Sequence, residues 1–159
     1  MDIKLMAEVY RLGVSIGLLS IEEVIKWADN VIEQLDTPPY EIIELSLSTK
    51  EKLEVINLKL MNIKGEFDYD FPPKIILGLL NQYLNTTEDM SSVIEKMDKL
   101  IEHLPDSCEW IETEIHFISD GFYLAEPNIY GELKEVILCQ DSRHRISTAL
   151  SLGGLAQKV

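Results

Sequence analysis

Ser20-Ile21-Glu22-Glu23-Val24-Ile25-Lys26-Trp27-Ala28-Asp29-Asn30-Val31-Ile32-Glu33-Gln34-Leu35 is the stretch whose reading decides the fold class. Its first four residues fit a capping box. The Ser20 hydroxyl accepts from the backbone N–H of Glu23, and the Glu23 carboxylate reaches back to the N–H of Ser20. Behind that start, Ile21, Val24, Ile25, Ala28, Val31, Ile32 and Leu35 recur at helical spacing and form one wide apolar stripe. Asp36-Thr37-Pro38-Pro39 then stops the helix and opens a short one over residues 40–45, with Pro38 in its first turn.

The same grammar extends in both directions. Upstream, a first helix runs from the start of the chain to Gly13 and Gly17, which loosen or end it. Downstream, Ser48-Thr49-Lys50-Glu51 reads as a second capping box ahead of Leu53, Ile56, Leu60 and Ile63, and Gly65 stands as the C-terminal stop. Glu66–Phe71 is a polar-aromatic loop. Pro72-Pro73 opens the run Ile75–Leu84, apolar nearly all round and therefore expected at the centre of the core. Met90, Val93, Ile94, Met97, Leu100, Ile101 and Leu104 make another stripe, closed by Pro105. Cys108, Ile111, Ile115 and Ile118 suit a helix over residues 106–119; Ile129, Leu133, Val136 and Ile137 suit another from Asn128, and residues 143–152 a last one. Residues 121–127 read as loop or short strand.

No period-two alternation is found, so the expectation is all-α: a single domain over residues 1–159, about seven to eight short helices packed as helical hairpins. Ile76, Leu80, Val93, Met97 and Ile101 are expected to be buried together. Val24-Ile25, Asp29, Ile32-Glu33 and Leu35 recur 69 residues later as Val93-Ile94, Asp98, Ile101-Glu102 and Leu104. The recurrence is open to two readings: related hairpins near 2–36 and 72–105, stacked in a short solenoid-like array, or a chance match between amphipathic helices.

Charge bounds the function. Twenty-eight Asp and Glu face fourteen Lys and Arg, a formal charge of -14 on 159 residues. The excess is densest from Glu88 to Asp120, where ten acids face only Lys96 and Lys99. Such a surface repels nucleic acid and anionic membranes and attracts basic proteins. Charges at Asp2, Lys4, Glu8 and Arg11 interrupt any signal-peptide pattern, and the longest uncharged apolar run, residues 12–21, is half of a bilayer span. The expectation is a cytoplasmic chain in which Cys108 and Cys139 stay reduced and half-buried.

Few motifs carry chemistry. Gly13-Val14-Ser15-Ile16-Gly17 matches the G-x-S-x-G nucleophile elbow, but no strand precedes it, as that strained turn requires. Glu112 and His116, one helical turn apart, can present two metal ligands; the H-E-x-x-H and paired E-x-x-H patterns of metalloenzymes are both missing. An exposed carboxylate–imidazole pair is the plainer account. Glu66-Phe67-Asp68-Tyr69-Asp70 lacks the third acid, glycine and distal Glu of a calcium loop. No glycine-rich phosphate loop occurs, so no nucleotide or other cofactor is expected. The best partner surface lies on the 106–119 helix. If Cys108, Ile111, Ile115 and Ile118 face the core, Trp110 and Phe117 share a second face with Glu114, apolar at its centre and acidic at its rim. The competing account is a helix buried on two sides.

Gly17-Leu18-Leu19-Ser20-Ile21-Glu22-Glu23-Val24-Ile25-Lys26-Trp27-Ala28-Asp29, continued by Pro38-Pro39-Tyr40-Glu41-Ile42-Ile43-Glu44-Leu45-Ser46-Leu47-Ser48, resembles small helical bacterial proteins, some of which belong with the immunity proteins of toxin systems. The resemblance covers about a fifth of the chain and rests on caps and core positions, so it transfers no functional residue. It implies a protein that binds a protein: an immunity-type inhibitor of a basic toxin or effector. The reading set against it is a small metal-assisted hydrolase using Glu112 and His116.

Overall fold

A computed structural model describes residues 2–125. Within them all regular structure is helical, with no strand. The elements are α1 (Ile3–Ser15), α2 (Ile21–Gln34), α3 (Tyr40–Ser46), α4 (Leu53–Asn62), α5 (Phe71–Thr86), α6 (Met90–Ile101), a 3-10 turn (Asp106–Cys108) and α7 (Glu109–Ala125). The helices expected at 128–137 and 143–152 lie outside the described residues, as do Cys139 and the last two residues of the 121–127 segment. The chain divides into two compact units, Met1–Pro72 and Pro73–Val159.

In the first unit the local signals at Ser20 form as expected. Ser20 Oγ accepts from Glu23 N at 3.2 Å, and Glu23 Oε2 accepts from Ser20 N at 2.7 Å. Gly17 ends α1 in the left-handed region at φ 71°, where Leu18 N donates to Gly13 O (2.8 Å) and Gly17 N to Val14 O (3.1 Å). Those two bonds make a Schellman stop, which satisfies carbonyls that the helix end would otherwise strand. The elbow reading of Ser15 therefore gives way to a helix terminus: its hydroxyl donates to Arg11 O and accepts from Asn57 Nδ2 on α4. α2 packs on α3, α1 on α4, and α3 on α4. Ala7, Val14, Val24, Ala28, Val31, Ile42, Leu45, Ile56 and Leu60 are sealed between them. Tyr10 stacks on Trp27 at 4.9 Å, and partial burial beside Glu23 raises its hydroxyl pKa above the ordinary value.

The second expected capping box does not form. Ser48 is buried at the end of α3, where its hydroxyl donates to Glu44 O (2.7 Å) and accepts from Lys59 Nζ (2.7 Å). Glu51 is turned to Lys59 instead, and α4 starts four residues later behind Lys52 with no side-chain cap. Pro38 and Pro39 likewise precede α3 and do not enter its first turn. Gly65 lies beyond the end of α4, at φ 145°, where a Cβ would come within 2.7 Å of Lys4 Cβ; its role is close approach to α1.

Pro72 and Pro73, where the first unit gives way to the second, occupy the first turn of α5, where a missing N–H costs nothing. Ile76 and Leu80 of α5 and Val93 and Met97 of α6 are buried as expected, whereas Ile101 is half-buried and Leu100 takes the core position. Ile101 is the last residue of α6, and the chain turns away there before Pro105. Asp89 caps α6 through Ser92 N (3.0 Å). The 106–119 helix resolves into a single 3-10 turn and then α7, which continues through Gly121 to Ala125, so the first five residues of the expected loop or strand are helical. Cys108 is fully buried, not half-buried.

Candidate functional site

α7 has three distinct sides. Ile111, Ile115, Ile118 and Phe122 recur at i, i+4, i+7 and i+11 and are buried. On one flank α7 packs on α6, and Asp98 of α6 accepts from the hydroxyls of Ser119 and Tyr123, the latter at 3.0 Å. Ser119 is buried, so this bond also satisfies a hydroxyl that would otherwise be stranded. At 100° per residue, Trp110, Glu114 and Phe117 fall on the opposite flank, within an arc of about 60°.

That flank faces outward. Trp110 is 44% exposed, Phe117 63%, and Glu114 is exposed between them. Gly121 lies in the same sector, and a Cβ built there would meet nothing within 4 Å. The outcome separates the two accounts of these aromatics: α7 seals one side in the core and leaves the rings at the surface. Glu114 stands one turn after Trp110 and one turn before Phe117, close enough on a helix for all three to bear on one ligand group.

The electrostatics of the flank are negative. α7 carries Glu109, Glu112, Glu114 and Asp120 and no Lys or Arg. The two lysines of the acid-dense stretch are engaged on α6: Lys99 pairs with Glu95 at 2.7 Å, and Lys96 donates to Ser92 Oγ at 2.8 Å and lies 5.3 Å from the Tyr83 ring. The bond from Lys99 holds the Glu95 carboxyl below its usual range. Hydrogen bonds with Ser92 and Thr87, and the nearby Lys96 ammonium, hold the Tyr83 hydroxyl below the ordinary tyrosine value.

Glu112 and His116 do meet. His116 Nε2 lies 3.6 Å from Glu112 Oε1, with both side chains about half exposed. Among the described residues no group of three or more His, Cys, Asp or Glu gathers to hold a metal. Two ligands alone leave a tetrahedral site half built. No helix among the described residues is long and apolar enough to cross a membrane. The chain matches no protein-family model, no curated protein and no solved structure.

One surface escapes the periodicity reading. α3 and α4 each expose further apolar side chains: Tyr40 and Ile43 of α3, with Leu47 just past its end, and Val55, Leu58 and Met61 of α4. The signal for it is present in the sequence: α3 has only seven residues, and apolar side chains on both of its faces cannot all enter one core.

Proposed function

We propose that this chain is an acidic protein-binding module, most concretely an immunity-type inhibitor that holds a basic toxin or effector in the bacterial cytoplasm. The observation that carries the reading is the exposure of Trp110 and Phe117 around Glu114, on a helix whose isoleucine stripe is sealed in the core. Exposed rings supply apolar contact area at a small entropic cost, because each has only two side-chain torsions to fix. The surrounding carboxylates give the partner's positive surface a direction of approach. A basic toxin meeting a chain of charge -14 is drawn in before any contact forms.

The test is capture from the native host with three tagged proteins: the wild-type chain, the Trp110→Ala/Phe117→Ala double variant, and Glu114→Lys. The wild type should retain one basic protein that the double variant releases and that Glu114→Lys retains in smaller amount, with all three chains equally helical by circular dichroism. Retention of an acidic protein, or of the same protein by all three chains, would defeat the reading.

A further inference from the structure

Glu114 is set apart from the other acids of α7 by its neighbours. On a helix a side chain meets those three and four residues away, and for Glu114 these are Trp110, Ile111, Phe117 and Ile118. Ile111 and Ile118 are buried in the core, and the two rings stand exposed, one turn before the carboxylate and one turn after it. Other carboxylates nearby are answered: Glu112 by His116 at 3.6 Å, and Glu95 of α6 by Lys99 at 2.7 Å. Among the described residues no side chain pairs with the Glu114 carboxylate or with the Trp110 ring. Arg11, the one arginine among them, is held by Glu8 on α1.

A lone carboxylate with apolar neighbours is a seat for a cation, because side chains that exclude water from its flanks reduce the screening of the pair. The rings decide between the two cations a protein can offer. A lysine ammonium is a compact, strongly hydrated point charge. A guanidinium is planar and weakly hydrated; its edge can place two N–H donors on one carboxylate while its face lies on an aromatic ring. Cation–π contact favours Trp among the rings and Arg among the cations. From Asp106 to Ala125 there are five acids and no Lys or Arg, so no base of this helix competes for the seat or repels its occupant. One turn past Phe117, Gly121 leaves open space on the same flank, where a Cβ would meet nothing within 4 Å and the chain carrying the guanidinium can come close.

We propose that Trp110, Glu114 and Phe117 form a receptor for one arginine side chain of the partner, in preference to lysine. The guanidinium pairs edge-on with Glu114 and lays its face on the Trp110 indole, with Phe117 walling the far side. This arginine seat rests on the reading of the flank as the partner-binding surface, and it names the group that the partner inserts.

The test uses the full chain, isotope-labelled for NMR, and three capped tripeptides, Gly-X-Gly, in which X is arginine, lysine or citrulline. Citrulline keeps the planar shape of arginine and removes its charge. The chain has two tryptophans, so the indole N–H of Trp27, 6% exposed, serves as the internal control for that of Trp110. The arginine peptide should move the Trp110 indole and leave Trp27 unmoved. Its dissociation constant should be at least about threefold below that of the lysine peptide, the size of an exposed cation–π contact, and citrulline should not bind. Glu114→Gln and Trp110→Leu, both made at exposed positions, should each weaken the arginine peptide at least about threefold. Equal binding of the lysine peptide would overturn the arginine seat while leaving a basic partner standing, because capture of that partner is measured separately. Undiminished binding of arginine by Glu114→Gln, or no response of Trp110 to any peptide, would overturn it as well. A response that appears only after Arg143→Gln/Arg145→Gln would make the chain's own arginines the occupant.

Discussion

Ile115 and Phe117 are two residues apart on α7, and their truncations should separate cleanly. Ile115→Ala removes three carbons from a side chain 2% exposed. At about 0.8 kcal/mol per buried methylene, plus the cavity left behind, the loss should be about 3–4 kcal/mol. Phe117 is 63% exposed, so only about a third of a ring that covers some 150–200 Å² when buried is at stake. At about 25 cal/mol per Å² that is at most about 1.7 kcal/mol, and the better helix propensity of Ala returns about 0.5 of it. Urea titration followed by far-UV circular dichroism measures both. The refuting result is Phe117→Ala costing as much as Ile115→Ala, which would place that ring in the core and remove the proposed anchor.

Gly17→Ala should cost about 1–2 kcal/mol, the penalty for a Cβ in the left-handed region. A Cβ there touches nothing within 4 Å, so the backbone alone sets the loss, and thermal melts of the pair will show it. The Glu51 carboxyl is held below its usual range, chiefly by the hydrogen bond from Lys59 and then by Ser48. A depressed folded-state pKa gives stability that is present above the unfolded value and is lost as pH falls through the folded one. Glu51→Gln should therefore melt below the wild type at neutral pH, and the gap should close on acidification; a gap constant with pH would contradict that linkage. Dialysis against chelator should leave the melting temperature unchanged. A stoichiometric metal lost with a fall in melting temperature, and bound through Glu112 and His116, would instead favour the hydrolase reading.

The parts of the fold legible from sequence were those decided within one helical turn. Ser20 and Glu23 find each other across three residues, and the Gly17 stop needs only the carbonyls of Gly13 and Val14. Ser48-Thr49-Lys50-Glu51 has the same lettering and fails because its partners are not local: Lys59, eleven residues from Ser48, takes both the hydroxyl and the Glu51 carboxylate. Leu100 and Ile101 both fit the α6 stripe, and only the place where the helix ends decides which enters the core. For the α7 flank, spacing placed Trp110 and Phe117 on one side but left open whether that side was covered; the packing of α6 against the Ser119–Tyr123 side leaves them exposed. The exposed apolar residues of α3 and α4 were not singled out, because apolarity marks which residues are able to bury, not which of two faces will.

The central claim is that the Trp110–Glu114–Phe117 flank grips a basic partner, and its most direct test is kinetic. With the captured partner in hand, association and dissociation should be measured across a salt series for the wild type, Glu114→Lys and Trp110→Ala. Glu114→Lys should mainly slow association and flatten its salt dependence, because steering is long-ranged and screened within about 10 Å at 0.1 M salt. Trp110→Ala should mainly speed dissociation, by about thirtyfold if the ring is a central anchor worth about 2 kcal/mol. Unchanged rates in both variants, against a partner that still binds the wild type, would contradict the account.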